Sequence, residues 1–431
     1  MGNLNDITFI KTNGGMGRTA ASEDPISGLI FGGFGASVLT FGEVDGNLKG
    51  FAPIMNTSTP PAAVSHIRKF EYKEELATAG IVWTKPGEGH GTSGVLDDTD
   101  MAKNALHYHI SEFFRMSHEG TLYVLIKAGA NNVAAADLTV LQNFANGAIR
   151  QCGVFDTADT PLTPTELQAV LTGENSLEED HMPMSVVMTY NGEDKTLAEL
   201  TEDNASLAAE GKCNVSVLIG CDGDATLASY LEDDNTHYAH YGCIGACIGA
   251  ISKAAVNECI AWVQKFPLGL TAPALFNGQL IKNVSTADQK DLNENRYIFV
   301  RTHVGNADNY FNDSHTCDLA TSDYAYIENV RTIDKACRGV RAYLLPYLNS
   351  PLQVDAETGR MDAPTVAFLE TIASKALIEM EKNGELSGYR VEIDPDQNVI
   401  STSQVEIIIK NVPTGTMRKV NVKIGFTTSL S

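Results

Sequence analysis

Val405-Glu406-Ile407-Ile408-Ile409-Lys410-Asn411-Val412-Pro413-Thr414-Gly415-Thr416-Met417-Arg418-Lys419-Val420-Asn421-Val422-Lys423-Ile424-Gly425-Phe426 is the stretch on which the reading of this chain turns. Val405, Ile407 and Ile409 alternate with Glu406, Ile408 and Lys410. Val420, Val422, Ile424 and Phe426 then alternate with Lys419, Asn421 and Lys423. A period of two marks strands with one buried face, and Val412-Pro413-Thr414-Gly415 between the runs predicts a turn, hence an amphipathic hairpin. A strand so patterned requires a neighbour, because an unpaired edge exposes a row of backbone donors and acceptors. The neighbour belongs either to the same chain or to another copy.

Outward from this segment, composition sets the bounds. With 431 residues, 43% hydrophobic and 20% charged, the sequence has the make-up of a folded protein with room for two or three domains. No stretch approaches the roughly 18 uncharged apolar residues of a membrane span. The opening Met-Gly-Asn-Leu-Asn-Asp lacks a basic segment followed by an apolar one, so folding in a cytosol is expected. The eight cysteines show no disulfide spacing and read as reduced and mostly buried.

The net charge of −23 argues against a nucleic-acid backbone as partner. Its distribution is uneven. Residues 155–235 hold 18 Asp and Glu against Lys195 and Lys212, a net −16. Residues 401–431 carry Lys410, Arg418, Lys419 and Lys423 against Glu406, a net +3. The basic residues protect an edge strand from aggregation, or they bring the tail of one copy to an acidic region of another.

Along the chain, Asp6–Lys11 predicts a short strand. The glycines of Asn13-Gly14-Gly15-Met16-Gly17-Arg18 supply an adaptable backbone running into Ser27-Gly28-Leu29-Ile30-Phe31-Gly32-Gly33. The first twenty-odd residues read as an arm. Helices are expected around 60–79, 100–117 (capped by Asp98 or Asp100), 133–146, 164–171, 238–263, 323–348 and 363–383. Strands are expected at 121–126, 149–155, 213–221, 297–304 and 389–393. Pro364 in the first turn and Gly384 past the end frame the helix at 363–383. Helices alternating with strands predict an α/β layer domain with a partly parallel sheet.

Few residues point to chemistry. His237, His240, Cys243 and Cys247, spaced by three, three and four, share one helix face and are donors that zinc accepts. A single face holds its residues in a row, however, whereas a tetrahedral site draws on two elements. The continuing Gly242-Cys243-Ile244-Gly245-Ala246-Cys247-Ile248-Gly249-Ala250 favours a closely packed core helix with reduced thiols. Asp222 and Asp224 follow a buried strand, where α/β enzymes keep carboxylates and where turns also use them. No Gly-Lys-Ser/Thr loop, Gly-x-Ser-x-Gly elbow or His-Glu-x-x-His helix is present, so no cofactor cradle is expected. The enzymatic alternative is a cytosolic metal-dependent α/β hydrolase using Asp222, Asp224, His237 and His240.

Both ends of the chain carry a family likeness. Gly14-Gly15-Met16-Gly17-Arg18 with Ser22-Glu23-Asp24-Pro25-Ile26-Ser27-Gly28-Leu29-Ile30 resembles the start of contractile tail sheath proteins of phages and phage-like injection systems. Asp323-Tyr324-Ala325-Tyr326-Ile327-Glu328-Asn329-Val330-Arg331-Thr332-Ile333-Asp334-Lys335-Ala336, then Gly384-Glu385-Leu386-Ser387-Gly388-Tyr389 and the closing strands, resemble that family's C-terminal domain. The likeness covers about 1–35 and 285–431. It implies a non-enzymatic α/β (α+β) protein of a two-domain, sheath-like fold: an N-terminal arm at 1–22, an outer inserted α/β domain at 23–284, and an inner domain at 285–431. The inner mixed sheet would be completed by strands from neighbouring subunits. Carried over by position, the linking strands contain Ile7, Phe9 and Lys11 at one end. At the other, about 416–431, they contain Lys419, Val420, Val422, Ile424 and Phe426. Gly14, Gly15 and Gly17 form the arm's hinge. The resemblance further implies stacked hexameric rings around an inner tail tube, contact with baseplate and tail terminator proteins, no nucleic acid or membrane insertion, and contraction that drives the tube through a target envelope. The particle would be a virion tail or contractile injection particle assembled in the bacterial cytoplasm.

Overall fold

The computed structural model describes residues 23–32, 39–56, 58, 62–127, 133, 135–156, 164–190, 196, 197, 199, 214–224 and 242–429. In chain order its strands are β1 (Ile26–Gly32), β2 (Ala52–Met55), β3 (Ala63–Phe70), β4 (Thr121–Lys127), β5 (Gln151–Asp156), β6 (Ser185–Thr189), β7 (Val215–Leu218), β8 (Gly220–Asp222), β9 (Pro273–Leu275), β10 (Val300–Thr302), β11 (Asn309–Phe311), β12 (Leu386–Glu392) and β13 (Ile408–Pro413). The helices are α1 (Glu75–Thr78), α2 (Asp98–Met116), α3 (Ala135–Phe144), α4 (Pro164–Glu179), α5 (Ile244–Lys253), α6 (Thr286–Glu294), α7 (Ile327–Leu344), α8 (Ala363–Lys382) and α9 (Val399–Thr402).

Seven strands form the main sheet in the order β2-β3-β4-β1-β5-β6-β7. β1 runs parallel to both β4 and β5, and β5, β6 and β7 continue in parallel, while β2 and β3 add an antiparallel edge. Helices cover both faces, so β1 is apolar on both sides, as expected of a strand buried in a parallel sheet. Leu29 and Phe31 join the core beneath α2 and α5, and Ile30 joins the core beneath α3 and α4. The stretch read from its glycines as adaptable backbone is thus the centre of the sheet.

The small residues of α5 are needed where it meets α2. A Cβ on Gly245 would collide with the His109 carbonyl, and one on Gly249 would lie 2.7 Å from the Phe113 carbonyl oxygen. The two backbones therefore approach as closely as the sequence predicts. α2 is capped by Asp97, rather than by Asp98 or Asp100. Asp97 accepts from the Asp100 amide at 2.8 Å and Asp100 accepts from the Asp97 amide at 3.3 Å, a reciprocal capping box.

Other expectations change. The helix anticipated at 60–79 is β3 followed by the single turn α1, because Ser65 and Ile67 alternate inward between two paired strands. The strand expected at 213–221 divides into β7, in the main sheet, and β8, which pairs with β9. The long helix at 238–263 is shorter: α5 ends at Lys253 and Ala254 turns to extended backbone. The Arg331 guanidinium donates to the Ala254 and Ala255 carbonyls at 3.3 Å, satisfying that helix end.

Residues 286–327 remain tied to the large sheet. Ile298 pairs with Leu218, and Ile298, Val300, Phe311 and Ile327 share the core of α2 and α5. Beyond them lies a smaller unit. α7 and α8 meet where Gly339 leaves room for Ala376, and Ala336, Leu377, Met380 and Leu386 form its core with Val391 and Ile409 packed against them. Asp362 caps α8 by accepting from the Thr365 amide at 3.0 Å, and Gly384 adopts φ +75° past its end.

The hairpin expected within 405–426 is not what forms. β13 pairs antiparallel with β12, Val391 opposite Ile409, and Val412-Pro413 lies in the strand instead of in a turn. Pro413 is tolerated because β13 is an edge strand and the ladder is irregular there, with a register shift between Leu386 and Gly388. The alternation itself is real, since Val405, Ile407 and Ile409 face the smaller cores while Glu406, Ile408 and Lys410 face out. A period of two fixes which face is buried and leaves the partner strand open.

Candidate subunit interface

β12 and β13 form a two-stranded sheet seated on α7 and α8. Each is paired on one side only among the described residues, so each offers an outer edge. A two-stranded ribbon is marginal by itself, and open edges are templates for further strands.

After β13 the chain continues as 414–429 with no regular ladder. Its root is fixed. The Asn257 amide donates to the Thr414 hydroxyl and to the Gly384 carbonyl, both at 3.0 Å. The Arg418 Nε donates to both Asp313 carboxylate oxygens at 3.0 and 3.1 Å, and an Nη donates to Glu328, which is only 3% exposed. The guanidinium stacks 3.5 Å above the Tyr326 ring. Burial alone would lower the Arg418 guanidinium, but Glu328 and Asp313 hold it well above its ordinary value.

Past Arg418 the segment lies in solvent. Val420 is 61% exposed, Val422 77% and Ile424 95%, and Phe426 is fully exposed. Lys419 is also exposed. The residues named for the C-terminal linking strand are therefore uncovered in the single chain. Ile7, Phe9, Lys11, Gly14, Gly15 and Gly17 lie outside the described residues.

Of the enzymatic alternative, the structure describes Asp222 and Asp224, and these serve a turn. The Asp222 carboxylate accepts from the Asp224 amide at 3.2 Å and from the Ala272 amide at 3.4 Å, the work of a turn. His237 and His240 lie outside the described residues. Cys243 and Cys247 are buried in the α2–α5 core, and burial pushes both thiols up. Among the described residues no group of three His, Cys, Asp or Glu side chains is placed to hold a metal. Nor is any helix there long and apolar enough to cross a membrane.

The sequence reading missed Glu23, Asp24, Glu328 and Lys335, which bind the ends of the chain to its body. Glu23 pairs with Arg150, and Asp24 pairs with Lys335 at 2.7 Å and lies 3.9 Å from Arg338. Lys335 also holds Glu385 at 2.6 Å, at the start of β12.

A family model described as DUF2586, N-terminal domain matches residues 91–315, and one described as DUF2586, C-terminal domain matches 323–431. No curated protein matches the chain. Solved structures similar to it include the anti-feeding prophage helical sheath in the contracted state, 14% identical with a TM-score of 0.57, covering all of both chains. A chain of the anti-feeding prophage baseplate is 13% identical with a TM-score of 0.57, covering 99% of this chain and 100% of that one. A chain of the PVC sheath complex of an extracellular contractile injection system, in the contracted state, is 11% identical with a TM-score of 0.57, covering 100% and 99%. The mixed α/β fold of this chain is therefore similar to that of the sheath chains, as the sequence likeness implied.

Proposed function

The chain belongs to the DUF2586 family, and from that premise we propose that it is a non-enzymatic structural subunit of a contractile sheath. Copies would polymerise around an inner tube, as stacked hexameric rings, and contract to drive that tube through a target envelope. In this reading the carboxyl-terminal portion, 285–431, carries the contacts between copies, and the inserted portion within 23–284 faces outward. An arm at 1–22 and the strand at 419–427 are donated to neighbours. The rings would meet a baseplate at one end and a tail terminator at the other, in a virion tail or injection particle assembled in the bacterial cytoplasm.

The observation that carries the proposal is the exposed, alternating row Val420, Val422, Ile424 and Phe426 in a chain that also offers the open β12–β13 ribbon. Strand addition fits both: the ladder gives affinity, and alternate side chains give specificity. Burying four such side chains contributes about 2 kcal/mol each, and about five ladder hydrogen bonds add about 1 kcal/mol each. Ordering nine residues costs about 1 kcal/mol each or more. One donated strand is thus worth only a few kcal/mol, and a lasting assembly needs several per subunit. Head-to-tail contacts that do not close on themselves build such open helical arrays.

Negative-stain microscopy of the purified protein tests the reading: tubes or stacked rings are expected. Truncation after Arg418 should leave a folded monomer that forms neither. Normal polymerisation by the truncated chain would exclude donation of this strand.

A further inference from the structure

Asp24 and Arg418 are far apart in sequence and are held by the same helix, α7. Glu328, Arg331 and Lys335 occupy positions i, i+3 and i+7 of α7, one face of the helix. Glu328, at the amino-terminal end of that face, holds Arg418 together with Asp313 and the ring of Tyr326, the residue that precedes the helix. Lys335, two turns on, holds Asp24 at 2.7 Å and Glu385 at 2.6 Å. Arg331 is buried between them. Its guanidinium donates to the carbonyls of Ala254 and Ala255 at the end of α5, so the face is locked to the large core as well. Burial lowers the Arg331 guanidinium to about 10, against the pull of Asp24 and Glu328. Pro25, next to Asp24, is held in turn by the Ser252 hydroxyl of α5 at 3.0 Å.

We infer that this face of α7 is the common seat of both arms, with Glu328 and Lys335 as the positioning residues that fix where the carboxyl-terminal and amino-terminal segments depart from the body. The inference rests on the sheath reading for the existence of the amino-terminal arm and for what both arms do. Charge-assisted, partly buried contacts of this kind hold geometry better than exposed pairs. A rigid helix carrying both roots keeps the distance between them constant. A subunit that stays joined to neighbours through both arms while it moves needs this property.

Proteolysis of the full chain reads each seat locally, since cleavage follows the population of the opened segment. Lys419 adjoins the Arg418 clamp and Lys423 lies beyond it, so a lysine-specific protease compares them within one molecule. Glu328→Gln leaves the cleaved sequence untouched and should raise the Lys419-to-Lys423 cleavage ratio by about tenfold, the scale of one lost charge-assisted hydrogen bond. Asp313→Asn should do the same if Glu328→Gln fails to fold by circular dichroism. At the other root, Lys335→Met should raise glutamyl-endopeptidase cleavage at Glu23 relative to the exposed loop residue Glu88 by several-fold. An unchanged Lys419 ratio in both carboxylate variants, or an unchanged Glu23 ratio in Lys335→Met, overturns the common seat. These readings are taken on the monomer. A wild-type protein that never forms tubes overturns the sheath reading and leaves the cleavage ratios to decide this one.

Discussion

Leu29-Ile30-Phe31 and Val422-Lys423-Ile424 occupy opposite extremes of the same molecule. The first three residues are completely buried at the centre of the seven-stranded sheet, and the second stretch lies in solvent. Both are strand-forming sequences. They differ in how many faces are apolar. β1 is apolar on both, so only helices on each side satisfy it, and one chain provides them. The tail is apolar on one face and carries Lys419, Asn421 and Lys423 on the other, so it needs a single covering surface and tolerates water opposite. The contrast separates what holds a subunit together from what is available to hold subunits to each other.

The comparison is broken most directly at β1. Phe31→Ala should cost about 3–5 kcal/mol of folding stability by leaving a cavity against Phe155 and His109, measurable by urea denaturation. Next, Gly245→Val should destabilise by about 1–3 kcal/mol, because α5 must move away from the His109 backbone. A thermal melt as stable as wild type would mean that the α2–α5 approach is looser than described.

His109 gives a pH effect of about 2 kcal/mol. Burial lowers its imidazole to about 3 from the ordinary 6.5. Between those values the unfolded chain binds the proton that the folded chain refuses. The stability it contributes is therefore complete above about pH 6.5 and falls as the pH drops toward 3. Denaturation at pH 6.5 and pH 4.5 should show wild type losing about 2 kcal/mol more than His109→Leu over that interval.

The smallest effect on folding belongs to the tail. Ile424→Asp should change stability by less than about 0.5 kcal/mol, since the side chain touches solvent. Yet it should abolish tube formation in the microscope. A large drop in the monomer's melting temperature would show that the tail folds back on its own body, and the contrast with β1 would collapse.

Much of the fold was legible locally. Pro364 and Gly384 mark α8, the small residues of α5 announce close backbone packing, and Val405, Ile407 and Ile409 face inward as their period requires. The candidate site was legible in part. The apolar face of 420–426 is written in the sequence, and the absence of supporting chemistry around Asp222 agrees with its use in a turn. Glu328 and Lys335 were not legible, because in isolation they look like ordinary charges on an amphipathic helix.

The sequence by itself determined how many faces of each strand must be covered, because side-chain period and polarity are local properties of the chain. The tertiary structure alone decided who does the covering. It paired β13 with β12 instead of with 419–426, and it brought Arg418 to Glu328 across 90 residues and Lys335 to Asp24 across 311. Such contacts depend on where distant segments meet in space, and no local pattern encodes that meeting.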